Sequence, residues 1–517
     1  MSGFVAIIGK LGHPSMLIHR ATEIGHHEDN DDPFVYKNLN MNDFEKDEHV
    51  FTYDNRYVIA FYGRVYNKEA LIKKLSNLEY SFKTSSDAQI VIALYKEFGK
   101  DFVKELNGMF AFVIWDQLEK TLFASRDPFG IKPLYYSYSN NDIILATDSK
   151  PIRHLFQHVE LHYESLQHYF TFQYVPEPYT MVNDIYKLEA GHYLFKKWDE
   201  EVEIKKYWEP TFQPINRNKN EVKEQIINTL RSSVHRHLQS DVPVGAFLSS
   251  GIDSTAIVAL AKEVQPDIKT FTVGFEQEGF NEIQIAKETA QYLGVENIHY
   301  TISAEQFLEE LPKIISYMDE PIADPSAIPL YFVSRLAGEH VNVVLSGEGA
   351  DELFGGYAIY REPQSLKIFS FLPASLKKAL RWFAYKLPEQ MKGRSFIERG
   401  TTPLERRFIG NAKIFSEEEK SLLLKNYDPT KPFYHITDPI YEKCKTYDDV
   451  LKMQYVDIHT WLRGDILAKA EKMSIANSIE LRVPFLDKQV FSVARELETR
   501  DKISRKNTKI LLREAIK

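Results

Sequence analysis

Apolar residues in the first two hundred positions recur in short runs broken by Asp, Asn, Gly and Pro, the pattern of strands joined by turns. Runs over 109–115, 121–125, 133–137 and 143–147 predict strands. Ahead of them, 87–98 carries Ile90, Val91, Leu94 and Phe98 at helical spacing. The pattern predicts a strand-rich α+β unit, a sandwich of sheets flanked by helices. At 209–220, Pro210, Pro214 and several Asn interrupt both periods and predict a linker. From 221 the period changes. Val222, Ile226, Leu230, Val234 and Leu238 recur every four residues, one apolar stripe of a helix.

Strand-like and helix-like segments then alternate: strands at 244–248, 270–275, 298–302 and 342–345, helices at 256–264, 281–293 and 327–337. Such alternation predicts a doubly wound, mainly parallel sheet with helices on both faces. From about 360 the chain turns helical, with aromatic and basic residues. The segment 376–387 reads as an amphipathic helix, either packed on its own domain or lying on a membrane surface.

Composition narrows the class. A chain of 517 residues implies two to four domains. A formal charge of -9 shows no nucleic-acid footprint. The single Cys444 excludes an internal disulfide framework and fits a reducing compartment. The apolar run 4–8 is too short for a signal peptide, and no run approaches the ~18 apolar residues of a membrane span. The expectation is a cytoplasmic protein with small-molecule partners, and neither nucleic acid nor membrane among them.

Two turns carry the chemistry. Leu248-Ser249-Ser250-Gly251-Ile252-Asp253-Ser254-Thr255 joins a predicted strand to a predicted helix. A small, hydroxyl-rich turn opening a helix points backbone N–H groups outward with the positive end of the helix dipole behind them, which suits a phosphate or pyrophosphate. It lacks the Gly-Lys-Ser/Thr of a Walker A loop. Asp253 would repel a bare phosphate but suits a magnesium ion bridging one. The second turn, Ser346-Gly347-Glu348-Gly349-Ala350-Asp351-Glu352-Leu353-Phe354-Gly355-Gly356, follows an apolar strand and crowds three carboxylates into five positions. Ligands of open α/β sheets collect at the carboxyl ends of strands. One phosphate cradle and one acidic cluster at two such ends point to a nucleoside triphosphate with magnesium.

At these turns the chain resembles the asparagine synthetase family. The first is similar to its pyrophosphate loop, the second to its Ser-Gly-Glu-Gly-x-Asp-Glu turn. Further matching blocks are 173–178, 272–275, 319–326, Gly464-Asp465-Ile466-Leu467-Ala468-Lys469 and 478–487. The resemblance implies an α/β protein of two domains. An N-terminal αββα, amine-terminal-hydrolase-like glutaminase domain (1–208) is joined by a linker (209–220) to an adenine nucleotide α-hydrolase-like synthetase domain (221–517) with added helices. It implies ATP and Mg2+ as cofactors, with aspartate and ammonia as substrates. Aspartate is activated as an acyl-adenylate, and ammonia then displaces AMP. It places Leu248, Ser249, Ser250, Gly251, Asp253, Ser254, Val273, Ser346 and Gly347 on ATP, Asp253 and Asp351 on the metal, and Glu348, Asp351 and Lys469 at the reacting centre. A homodimer is an open expectation.

The departures from the family pattern are concentrated in the glutaminase half. Residue 2 is Ser2, where glutamine-hydrolysing members expose a cysteine. The family's Arg-Gly-Pro-Asp turn reads Arg20-Ala21-Thr22-Glu23, and its Asn-Gly-Glu-Ile-Tyr-Asn reads Tyr62-Gly63-Arg64-Val65-Tyr66-Asn67. Asp87 survives where the family binds the glutamine amine. Loss of glutaminase activity is therefore expected. In the synthetase half, Ser250 replaces a usual glycine, and Glu471-Lys472 replaces Asp-Arg. The chain also reads as shortened at its C-terminus: the resemblance implies a lysine-bearing segment beyond Lys517 that contacts the reacting centre, and that lysine is expected to be missing. Two alternatives stay open: an adenylating cyclase of the β-lactam synthetase or lasso-peptide type, and a catalytically weak nucleotide-binding paralogue with a regulatory role.

Overall fold

The computed structural model describes residues 3–8, 34–38, 50–82, 86–139, 142–156, 158–277, 282–388 and 390–517. In the N-terminal unit two antiparallel sheets face each other. One contains β1 (Phe4–Ile8), β2 (Phe34–Asn38), β7 (Tyr135–Ser139), β8 (Asp142–Ala146) and β9 (Tyr186–Lys187), in the order β2-β1-β8-β7-β9. The other contains β3 (Val50–Tyr53), β4 (Tyr57–Val65), β5 (Gly108–Asp116), β6 (Thr121–Arg126), β10 (His192–Lys197) and β11 (Glu203–Lys206), in the order β11-β10-β6-β5-β4-β3.

Alternation along β4 and β5 builds both sides of the second sheet. Val58, Ala60 and Tyr62, with Ala111, Val113 and Trp115, enter the core between the sheets, where they meet Phe4, Ala6 and Ile8. Ile59 and Phe61, with Phe110, Phe112 and Ile114, face the helix Asp87–Phe98 instead. The helix Ser149–Leu155 sets Ile152 against Val5 and Ile7 on the far side of the first sheet. The layers are therefore αββα. The strand predicted at 133–137 begins two residues late, at Tyr135, because Pro133 has no N–H to give to the ladder.

The second sheet system is parallel throughout. β12 (Val244–Phe247), β13 (Lys269–Phe275), β14 (Glu296–Ile302), β15 (Val343–Leu345) and β16 (Glu480–Arg482) lie in the order β14-β13-β12-β15-β16. The central strands β12 and β15 are buried along their whole length, as strands covered on both faces must be. The stripe of the helix Lys219–Leu238 packs into the same core. From β12 the chain adds strands on one side and then returns to add β15 and β16 on the other. The switch point thus lies between β12 and β15.

The helix predicted at 376–387 spans Ala374–Lys386. Its packing is narrower than expected of a helix docked on its own domain. Ala384 is its one buried residue, while Trp382, Phe383 and Tyr385 stay 61%, 53% and 66% exposed. Among the described residues no helix is long and apolar enough to cross a membrane. Cys444 is buried in the core that packs around the parallel sheet.

Candidate functional site

The two predicted turns emerge side by side at the switch point. The loop after β12 is tied within itself. The Ser249 N–H donates to Ser254 Oγ (3.0 Å), and the Gly251 N–H to Ser249 Oγ (3.1 Å). Gly251 caps the helix Ile252–Lys262 from outside. The Ser250 N–H donates to a Glu282 carboxylate oxygen at 3.3 Å. Thr272 of β13 donates its hydroxyl to the Leu248 carbonyl (2.7 Å), fixing the strand end against its neighbour.

These ends enclose a cavity of about 810 Å³, a size that suits a small-molecule ligand. Leu248, Ser249, Ser250, Asp253 and Ser254 line it from the first turn, and Ser346, Gly347, Glu348 and Asp351 from the second. Val273 and Lys469 also line it, while Gly251, the remaining residue of the predicted set, does not. The sequence-based assignment thus gathers at one place.

Three side-chain groups give the cavity its electrostatics. Asp253 and Asp351 meet on one ammonium: Lys509 Nζ lies 2.5 Å from Asp253 Oδ2 and 2.8 Å from Asp351 Oδ1. Burial works against the Lys509 charge, but the two carboxylates outweigh it and hold its pKa above the ordinary lysine value. Burial likewise raises the Asp253 carboxyl, with Lys509 pulling it back. Lys509, which the sequence does not single out, brings a lysine from just before the helix Ile510–Ile516 to both carboxylates. It stands in a left-handed conformation (φ 52°) at the start of the helix Ile510–Ile516.

The second group is Glu348, whose carboxyl is raised by burial against the pull of Lys469. The third is Lys469 itself, on the helix Leu467–Ile475. Its ammonium pairs with Asp324 and lies 3.3 Å from Asp465 Oδ1. Desolvation opposes the charge, yet Asp465 and Asp324 together keep it raised. Lys469 is therefore no solvated helix-surface lysine.

The donor set fits a hard divalent cation in part. Asp253 Oδ1 is buried without a hydrogen-bond partner, and two carboxylates plus substrate phosphates make a usual magnesium environment. Among the described residues no three His, Cys, Asp or Glu converge as a protein-only metal site.

In the N-terminal unit, Asp87 accepts the Val65 N–H at 3.3 Å and lies 3.8 Å from Lys68 Nζ. Ser2 and the segment 20–23 lie outside the described residues. Tyr62 and Arg64, which depart from the family pattern, reach across to the parallel-sheet unit. The Tyr62 hydroxyl donates to Glu471 Oε1 at 2.5 Å. Arg64 Nε is 3.5 Å from Glu480, which also accepts from Arg482 Nε at 2.6 Å.

Fold and site together define a two-unit α/β protein with a nucleotide-sized, carboxylate- and lysine-lined cavity at a parallel-sheet switch point. A family model described as "Asparagine synthase" matches residues 225–517, and one described as "Glutamine amidotransferase domain" matches 15–208. "Asparagine synthetase [glutamine-hydrolyzing] 1" of Bacillus subtilis is 46% identical, across 100% of this chain and 84% of its own length. "Putative asparagine synthetase [glutamine-hydrolyzing]" of Mycobacterium tuberculosis is 44% identical, across 89% and 72%. The chain belongs to the asparagine synthetase family.

Proposed function

We propose that the protein converts aspartate, ATP and ammonia to asparagine, AMP and pyrophosphate, with the chemistry in the cavity at the switch point. The observation that carries this reading is the convergence of Asp253, Asp351 and Lys509 beside the Ser249–Ser254 loop in a family member.

An aspartate side-chain oxygen attacks the α-phosphorus; the bond to pyrophosphate breaks, and the acyl-adenylate forms. Negative charge then grows on phosphoryl oxygens. The Ser250 N–H, once freed from Glu282, the hydroxyls of Ser249, Ser250 and Ser254, and the Lys509 ammonium would stabilise it. Leu248, Val273, Ser346 and Gly347 border the space for the adenosine. Asp253 and Asp351 would hold magnesium, which supplies charge neutralisation at the phosphates when bound. Ammonia next attacks the acyl carbon and AMP leaves. Glu348, a half-buried carboxylate of raised proton affinity, would take the proton that the attacking nitrogen sheds. Lys469 supplies a fixed positive charge on the same wall.

Glutamine is not the nitrogen source in this reading. Tyr62 and Arg64 stand where family members hold an asparagine and a glutamate toward glutamine, and both are engaged with Glu471 and Glu480. The test uses purified protein with ATP, Mg2+ and aspartate, following pyrophosphate release and asparagine formation with ammonia or glutamine. Ammonia-dependent asparagine with no glutamate release is the expected result. Glutamine turnover matching the ammonia rate overturns the nitrogen assignment, and absence of aspartate-dependent pyrophosphate release overturns the synthetase assignment.

A further inference from the structure

The helix Leu467–Ile475 is held from two sides by the N-terminal unit. Lys469 faces the cavity. Glu471 lies roughly 200° further round the helix, since each residue advances about 100°, and it points into the seam between the units. There its carboxylate, 4% exposed, receives Lys132 Nζ at 2.9 and 3.0 Å and the Tyr62 hydroxyl at 2.5 Å. Lys132 is itself 2% exposed. Lys472 reaches the same seam and meets Asp148 Oδ2 at 3.0 Å.

On the cavity side the hold runs through Gln173. Its amide Nε2 donates to Asp465 Oδ2 at 3.0 Å, and the other oxygen of that carboxylate lies 3.3 Å from Lys469. The Gln173 carbonyl accepts the Ala323 N–H at 2.8 Å, which seats Asp324, the second partner of Lys469. One glutamine therefore touches the carriers of both counter-ions. The turn Leu462–Ile466 that delivers Asp465 is a π-helical widening, a feature frequent at functional sites. Tyr174 packs so closely on Gly464 that a Cβ there would lie 2.2 Å from its ring.

We propose that the N-terminal unit is the positioning device for Lys469: Gln173 fixes its counter-ions, while Tyr62 and Lys132 clamp the back of its helix through Glu471. Tyr62 thus holds the synthetase site from a position where a glutaminase would hold its substrate. The inference rests on the reading of Lys469 as part of the synthetase cavity. Gln173, Tyr62 and Lys132 are positioning residues, since none of them borders the cavity.

The experiment compares full-length Tyr62→Phe, Gln173→Leu, Lys132→Met and Lys132→Arg with Lys469→Met in ammonia-driven pyrophosphate release. A displacement of about 1 Å at a reacting centre costs on the order of 10²-fold, so a partial loosening is expected to lower kcat about tenfold. KM for ATP should stay within about twofold, because the loop 249–254 is untouched. Lys132→Arg should recover most of what Lys132→Met loses. In the Lys469→Met background, Tyr62→Phe and Gln173→Leu should have no further effect on kcat. Tyr62→Phe removes one oxygen, so it tests the idea even where Gln173→Leu fails to fold. Unchanged kcat in Tyr62→Phe and Lys132→Met, or losses that simply multiply with that of Lys469→Met, overturn the positioning role. Full activity in Lys469→Met instead overturns the reading of Lys469 itself.

Discussion

Lys509 places one ammonium between two carboxylates from different turns, 2.5 Å from Asp253 and 2.8 Å from Asp351. It links the last helix of the chain to both strand ends of the switch point. Lys509→Met would leave Asp253 and Asp351 facing each other without a charge between them. Pyrophosphate release should fall by about 10²–10³, the usual loss when one group that stabilises developing phosphoryl charge is removed. Nucleotide binding, measured by calorimetry with ATP, should weaken far less, because the loop 249–254 is intact.

Gly356 guards the same pair. A Cβ at this position would lie 1.7 Å from Asp351 Oδ1 and 2.1 Å from Lys509 Cε. Gly356→Ala should therefore push the two side chains apart and depress kcat at least tenfold. The accompanying loss of stability should be about 1–3 kcal/mol, as for other overpacked sites, and thermal unfolding with parallel rate measurements separates the two effects.

Much of this site is legible in the chain because it is local. The 249–254 loop and the 346–351 turn each lie within a few residues of an apolar strand, and strand ends in parallel sheets point the same way. Lys509 is not legible in that manner. Its partner Asp253 is 256 residues away, and its left-handed backbone at a helix start carries no residue-type signal. Gln173 sits in a block recognisable as family-like, yet its bond to Asp465 spans 292 residues. Tyr62 and Arg64 read from sequence only as departures from a pattern. That they reach Glu471 and Glu480 depends on how the two units meet, which no periodicity encodes.

Restoring a glutamate at position 64 should harm the protein. Arg64→Glu would set a like charge beside Glu480, whose carboxyl is desolvated by burial yet held down at about 2 by Arg482 and Arg64. Both side chains are about a fifth exposed, 19% and 23%, so solvent moderates the penalty to about 2 kcal/mol. A depressed carboxyl stabilises the fold above its unfolded value near 4.5 and loses that contribution as pH falls toward 2. The destabilisation of Arg64→Glu should accordingly be full at pH 7 and shrink below about pH 4.5. Urea unfolding at pH 7 and pH 4 checks the sign, and under the proposed nitrogen assignment the variant should release no glutamate from glutamine.

Glu352 carries the opposite sign. Burial first, then the charge of Asp351, raises its carboxyl to about 8, while the Tyr357 hydroxyl donates to it at 2.7 Å. The folded protein keeps a proton that the unfolded chain releases above about 4.5. Stability from this group is thus fully present below that value and is lost as pH rises toward 8, by up to about 1.4 kcal/mol per pH unit. Glu352→Gln keeps the acceptor for Tyr357 and removes the titration. Its melting temperature should approach that of the parent at pH 5, exceed it by a widening margin up to about pH 8, and keep that margin at pH 9.

The hydrogen bond from the Ser250 N–H to Glu282 gives the phosphate loop a tenant before any nucleotide arrives. In the proposed reading, the donor for a phosphate oxygen is already satisfied, and by a group of the same sign as the ligand. If the loop takes a triphosphate as proposed, the ligand would displace that carboxylate, coupling nucleotide entry to release of the residue just before the helix Ile283–Leu293. The loop is thereby spared an idle, unsatisfied N–H.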